Sequence, residues 1–281
     1  MSADRWFEPS PLVRREEVRT DRGVFATLAC MPQKTPLPHG NALLVPGFTG
    51  SKEDFAPLLP LLAESGWSAA TYDQGGQFET PAASDDFSLN SWAEDAATLV
   101  RAMWGSVERV HLVGHSFGGL VAAAAALEHP DPWASLTLLC SGPGALSGAK
   151  RDERRALAAE LKQHGLEATY RPSAEEVVGG SADAAEEQFL HRRYLSNSPT
   201  ALIAMCHALV ETPDRSRELA ALDLPLAVVR GEYDDAWPHD VQDRLADTLG
   251  TRVVVIPGAA HSPPREAPAE TRNALIRIWM R

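Results

Sequence analysis

The chain has 281 residues, 44% of them apolar, enough for one large α/β domain carrying an inserted subdomain. Asp and Glu total 38 against 26 Lys and Arg, a formal net charge of -12, and that average field repels nucleic acid and anionic membrane surfaces. Met1 to Arg19 has no apolar core of the secretory kind, no later run is long enough to span a membrane, and three scattered cysteines (Cys30, Cys140, Cys206) make no disulfide framework, so a cytoplasmic protein is expected.

In chain order, Val18 to Thr20 and Val24 to Cys30 flank Asp21-Arg-Gly23, a hairpin signature with glycine at the turn. Asn41 to Pro46 is a short apolar run suited to a strand covered on both faces. Ser51 predicts a helix cap, with Asp54 three positions on in a weak capping box. Trp67 to Tyr72 reads as a strand. Leu89, Trp92, Ala96, Leu99 and Met103 form one stripe of a helix over Leu89 to Trp104. A strand at Arg109 to Val113 then leads through Gly114-His-Ser-Phe-Gly-Gly119 into an Ala-rich helix ending near His129. Ser135 to Leu139, Leu226 to Val229 and Arg252 to Ile256 are further strands, with a last helix at Asn273 to Met280. Strands alternating with helices predict a parallel sheet covered by helices on both faces.

Residues 143–215 break this rhythm. They contain no strand-like run and read as helices separated by Gly165, Pro172, Gly179-Gly180, Pro199 and Pro213. The charged run Lys150-Arg-Asp-Glu-Arg-Arg155 is expected to be a solvated helix surface. Two apolar stripes (Leu202, Met205, Cys206, Leu209 and Phe189, Leu190, Tyr194) either pack these helices onto the main domain or roof a pocket.

Gly114-His-Ser116-Phe-Gly118 fits G-x-S-x-G in the context that motif needs, after a strand and before a helix. The serine of such a turn sits on a strained backbone, so the residues two away on either side must lack side chains. The helix start beneath it places partial positive charge where an oxyanion would form. A hydroxyl nucleophile needs a base oriented by a carboxylate. Of nine histidines, His261 in Gly258-Ala-Ala-His-Ser262 follows the last predicted strand, and open parallel sheets build their sites at such strand ends. His115 adjoins the nucleophile but points away from it, as a packing residue or pocket wall, and His111 lies within a strand. Glu232, Asp234 and Asp235 follow the strand at Leu226 to Val229, while the preceding strand ends in Cys140-Ser-Gly142 with no acid. The glycines of Leu44-Val-Pro-Gly-Phe-Thr-Gly50 let backbone amides face a ligand, which makes the N–H groups of Phe48 and Phe117 the candidate oxyanion donors.

Pro46-Gly-Phe-Thr-Gly50, Gly114-His-Ser-Phe-Gly118, Gly231-Glu-Tyr-Asp234 and Gly258-Ala-Ala-His261 occur in order, and by these the chain resembles the capped α/β-hydrolase superfamily over nearly its whole length. The resemblance implies a mostly parallel eight-stranded sheet, a core domain over 1–142 and 216–281, and a helical cap over 143–215 inserted after the sixth strand. It also implies that the acid is Asp234, three residues after the glycine ending its strand. One segment departs from the family pattern. Where many members carry Asp-x-Arg-Gly-x-Gly-x-Ser, this chain has Asp73-Gln-Gly-Gly-Gln-Phe-Glu-Thr80, with Gly75 in the arginine place and Phe78 in a glycine place.

The expected chemistry is two-step acyl transfer by Ser116, His261 and Asp234 on a small to medium, moderately hydrophobic carboxylic ester. No metal and no organic cofactor is expected. Phe48, His115, Phe117 and Trp237 are expected to line the substrate cavity. Carbon–carbon bond hydrolysis or thioester hydrolysis would use the same residues. A cofactor-free haloperoxidase-like or lyase activity, or a ligand-binding protein with little turnover, are the further alternatives. Oligomeric state is left open.

Overall fold

The computed structural model describes residues 5–32, 38–105, 109–171 and 184–281. Its sheet begins with an antiparallel hairpin, β1 (Val13–Thr20) against β2 (Gly23–Cys30), in register from Val13↔Cys30 to Thr20↔Gly23. β1 is longer than the Val18 to Thr20 run because its charged residues Arg14 to Glu17 occupy an edge strand facing solvent. The remaining strands are β3 (Asn41–Val45), β4 (Ser68–Tyr72), β5 (Val110–His115), β6 (Trp133–Leu139), β7 (Leu226–Gly231) and β8 (Val254–Ile256). Together they form an eight-stranded sheet in the order β1-β2-β4-β3-β5-β6-β7-β8. β2 joins β4 antiparallel, and every pair from β4 through β3 to β8 is parallel.

Every residue of β3 and β4 is buried, as a strand covered on both faces requires. Side chains alternate across the pleat, so Leu43 and Val45 enter one core while Ala42 and Leu44 enter another. The first core is closed by α2 (Leu89–Trp104) and α3 (Phe117–Glu128), the second by α1 (Leu59–Glu64) and the C-terminal α10 (Pro268–Trp279). The helix expected after Ser51 is a single 3-10 turn, Lys52–Phe55. The Asp54 carboxylate accepts from the Ser51 N–H at 3.1 Å.

Between β6 and β7 lie α4 (Gly148–Thr169), α5 (Ala184–Leu195), α6 (Pro199–Glu211) and the short α7 (Ser216–Ala220). Gly165 takes φ 75° and kinks α4, and Pro199 opens α6 behind the cap that Ser198 gives Ala201 N–H at 3.3 Å. The breaks expected at Pro172 and Gly179-Gly180 lie outside the described residues. Leu202, Met205 and Leu209 join the first core, so this stripe anchors α6 to the sheet domain. Phe189 and Leu190 join Phe78 in a small separate core, where Phe7 stacks on Phe189 at 4.6 Å. α8 (His239–Thr248) and α9 (Pro263–Glu266) complete the chain's helices among the described residues, and none of these is long and apolar enough to cross a membrane.

Candidate active site

Three strand ends on the same edge of the sheet supply the site. β5 turns directly into α3, and Ser116 at the turn has φ 54° and ψ -121°, a left-handed conformation that costs energy outside glycine. The glycines on either side make it affordable. A Cβ on Gly114 would lie 2.6 Å from Gly119 Cα and 2.7 Å from Ala122 Cβ, and one on Gly118 would lie 2.5 Å from the Pro46 carbonyl oxygen. The Ser116 N–H continues the ladder by donating to Leu139 O at 2.9 Å, which ties the turn to β6.

The end of β7 sorts its three carboxylates. Glu232 accepts from the Gly258 N–H at 2.9 Å. Asp235 points outward and pairs with Lys150 at 3.3 Å. Asp234 is buried and reaches His261, with Oδ1 2.7 Å from Nδ1. The other ring nitrogen, Nε2, stands 3.0 Å from Ser116 Oγ. Because a carboxylate only accepts, Nδ1 carries the proton and Nε2 presents a lone pair to the serine hydroxyl. Burial by itself would raise the Asp234 pKa. Hydrogen bonds from His261, from Gln242 Nε2 at 2.9 Å and from the Ala236 N–H at 3.2 Å outweigh it and hold the carboxyl below the usual range.

His115 turns away from Ser116 and lines the cavity from the side. Its Nε2 lies 2.6 Å from the His261 carbonyl oxygen, so it must carry a proton there and steadies the main chain that bears the His261 ring. Burial first, and the neighbouring His261 second, lower its pKa to about 4, so it is neutral at physiological pH.

The loop after β3 closes over the serine: a Cβ on Gly47 would come within 3.1 Å of Ser116 Cβ. Neither the Phe48 N–H nor the Phe117 N–H donates a hydrogen bond among the described residues, leaving both for a ligand. The loop is braced from below by the segment that departs from the family pattern. Gln77 Nε2 donates to Gly47 O at 2.9 Å and Gln74 Nε2 to Pro46 O at 3.1 Å. A trans peptide points its N–H opposite its C=O, so holding Gly47 O directs the Phe48 N–H. Phe78 takes φ 38°, in the region that favours glycine, and its ring sits beneath Lys52 Nζ at 4.8 Å and edge-on to Phe189 at 5.8 Å. The Lys52 ammonium is fully buried and is satisfied by Asp73 at 2.7 Å, Glu79 at 2.7 Å and Glu53 at 3.1 Å.

A cavity of about 290 Å³ opens onto Ser116 and His261, with Phe48 and His115 in its wall. Two side chains expected there are elsewhere. The Phe117 ring is fully buried and packs edge-on against Trp92 at 5.3 Å, because the first residue of α3 faces the sheet core while only its backbone faces the site. Trp237 is buried, and its Nε1 donates to Gly144 O at 3.2 Å, so its ring seals the base of the inserted helices. The Lys150 to Arg155 run is also not wholly solvated. Arg154 is half-buried, lines the cavity and lies 4.9 Å over the Phe48 ring, because α4 lays that side of its surface against the loop after β3. Tyr194, Arg193 and Arg265 line the cavity as well. No local motif marks the arginines or Gln74, Gln77 and Gln242.

One metal-like grouping occurs among the described residues: His115, Cys140 and His261 each bring a donor atom within 4.8 Å of the others. Its chemistry suits a metal poorly. Both His261 nitrogens are engaged by Asp234 and Ser116, and burial raises the Cys140 thiol pKa well above its ordinary value.

The sequence model of the alpha/beta hydrolase fold family matches residues 43–268. A Variovorax paradoxus protein bearing the name carbamate hydrolase RutD is 32% identical over 228 residues, covering 75% of this chain and 82% of that one. The pimeloyl-[acyl-carrier protein] methyl ester esterase of Aeromonas hydrophila is 29% identical over 218 residues, covering 73% and 82%. Among solved structures, a thermophilic esterase from Thermogutta terrifontis, with malate bound, superposes with a TM-score of 0.73 at 25% identity over 95% of this chain and 98% of that one. With the strand order, the turn at Ser116 and these likenesses together, the chain belongs to the alpha/beta hydrolase fold family.

Proposed function

We propose that the protein hydrolyses a carboxylic ester of a small molecule by two-step acyl transfer on Ser116. The observation that carries this reading is the continuous chain Asp234–His261–Ser116, with steps of 2.7 and 3.0 Å. His261 Nε2 takes the hydroxyl proton as Ser116 Oγ bonds to the carbonyl carbon. The Phe48 and Phe117 N–H groups receive the oxyanion. Collapse breaks the bond to the alkoxy group, which leaves with the proton from His261 as an alcohol. Water, losing a proton to the same nitrogen, then attacks the acyl carbon, and collapse breaks the bond to Ser116 Oγ, which takes that proton back from His261 as the acid leaves. Asp234 holds the imidazole tautomer and stabilises the imidazolium.

Relatives named as a methyl ester esterase and a carbamate hydrolase support transfer of an acyl group to water. Carbon–carbon and thioester bonds would draw on the same residues. The inserted helices 143–215 act as a cap in this reading, since α4 and α5 supply cavity walls. Three buried, unbridged cysteines fit a cytoplasmic setting. A fluorophosphonate probe tests the nucleophile: wild type is expected to label at Ser116, and Ser116→Ala to stay unlabelled. Equal labelling of both would overturn the assignment. A panel of methyl esters, thioesters and β-diketones would then rank the bond types.

A further inference from the structure

The cavity beside Ser116 is basic inside an acidic protein. Among the described residues its charged lining consists of Arg154, Arg171, Arg193 and Arg265 against one carboxylate, Asp54, in a chain of net charge -12. Arg193 and Arg265 stand 2.9 and 3.7 Å from Asp54, which places two guanidinium groups around one carboxylate. Burial pushes the Asp54 pKa up, but Arg193 and Arg265 hold it below its usual range, so that charge is fixed as part of the wall. Arg154 differs in forming no ion pair among the described residues. Its Nε is buried without a hydrogen-bond partner, and its guanidinium is held over Phe48, the residue whose N–H we assign to the oxyanion. A buried guanidinium donor without a partner is costly, and its planar fork matches a carboxylate bidentately. The lining is close to half polar, with Phe48, Leu157 and Tyr194 as its large apolar side chains, whereas a pocket for a neutral ester is usually mostly apolar. A neutral ester would displace water from the Arg154 guanidinium and return only a hydrogen bond to an uncharged oxygen, weaker than the charge-assisted bond a carboxylate gives.

We infer that the substrate carries a carboxylate in addition to its scissile ester, and that the Arg154 guanidinium binds that carboxylate inside the cavity. The inference rests on the hydrolase reading above for the bond that breaks, while the carboxylate site stands on the cavity lining. A volume of about 290 Å³ suits a short-chain half-ester of a dicarboxylic acid.

The test pairs turnover with binding. For wild type, kcat/KM for monomethyl succinate is expected to exceed that for dimethyl succinate by roughly tenfold or more. Arg154→Gln should erase most of that preference, and Arg154→Lys, which keeps the charge but loses the fork, should retain part of it. Independently of turnover, succinate titrated calorimetrically into Ser116→Ala should bind, and roughly tenfold more weakly after Arg154→Gln is added. Thermal unfolding of each variant checks that it is folded. A wild-type preference for the diester, or a preference unmoved by Arg154→Gln in a folded protein, overturns the inference. So does inorganic phosphate binding Ser116→Ala more tightly than succinate. Should neither ester be cleaved and no probe label Ser116, the hydrolase reading falls, and the succinate titration still decides the carboxylate site.

Discussion

The two walls of the cavity are built on different principles. The sheet-side wall holds the proposed reactive atoms on strand ends: Ser116 on a left-handed turn, Asp234 just after β7 and His261 just after β8. Each is fixed by main-chain hydrogen bonds or by neighbours such as Gln242 and His115. The opposite wall is made of side chains projecting from helices inserted between β6 and β7, among them Arg154 and Tyr194. Distances near 3 Å have to be held to a few tenths of an ångström for proton transfer, and strand ends in a close-packed sheet provide that. Long helical side chains position charge more loosely, which serves recognition. The proposed division is therefore chemistry from the sheet and selection from the inserted helices.

Substitutions on the sheet side should separate most sharply. Ser116→Ala should lower ester turnover by several orders of magnitude, on the order of 10⁵-fold or more, with substrate KM changed little, measured as kcat on any ester the wild type accepts. Retention of even a hundredth of wild-type kcat would break the comparison at its root. Asp234→Asn should cost about 10⁴-fold, because an amide presents the wrong hydrogen-bonding partner to Nδ1, whereas Asp235→Asn should leave kcat within about twofold. Parallel rates for the two neighbours decide whether burial beside His261, and not mere proximity in sequence, selects the acid.

The brace beneath the loop after β3 gives a smaller effect. Gln77→Leu removes the donor to Gly47 O and frees the peptide that aims the Phe48 N–H. Removing an oxyanion donor outright costs about 10²–10³-fold, so misdirecting one should cost roughly tenfold, expressed in kcat and not in KM. A loss confined to KM would place Gln77 in substrate binding instead.

The smallest expected effect is on stability. In the folded protein His115 stays neutral down to about pH 4, while the unfolded chain takes up that proton near pH 6.5. Between those values the unfolded state binds more protons, so acidification removes stability, up to about 3 kcal/mol from this residue, and above pH 6.5 the slope vanishes. His111, whose pKa is also lowered to about 4 by burial, adds to the same slope. In urea titrations between pH 7 and pH 4, His115→Gln should therefore flatten the decline only in part. An unchanged slope would mean that His115 is already protonated in the native site.

Much of the sheet-side wall is legible in the sequence. Gly114, Ser116 and Gly118 announce a strained strand-to-helix turn because only glycine tolerates the close approaches on either side. The stripe from Leu89 to Met103 announces α2 because a helix repeats its buried face at a fixed period. His261 stood out by its place after the last strand. Such signals are local: backbone sterics and side-chain periodicity act over a few residues, and the sequence carries them directly.

What only the tertiary structure decided is where those local pieces meet. Glu232, Asp234 and Asp235 are three acids in four residues, and the turn after β7 aims just one of them at His261. Phe117 and Trp237 read as cavity walls yet pack into the interior, because each presents its ring to a neighbouring element and not to the loop side. The charged run on α4 reads as solvated, yet Arg154 is drawn over Phe48 once that helix lies on the loop after β3. Gln74 and Gln77 carry no recognisable pattern, since a glutamine becomes a brace only when a carbonyl from another segment arrives within hydrogen-bond reach. Covalent order and short-range sterics determined the turn and the proposed nucleophile, while the burial and pairing of polar groups across elements singled out the proposed acid, the brace and the charge of the cavity.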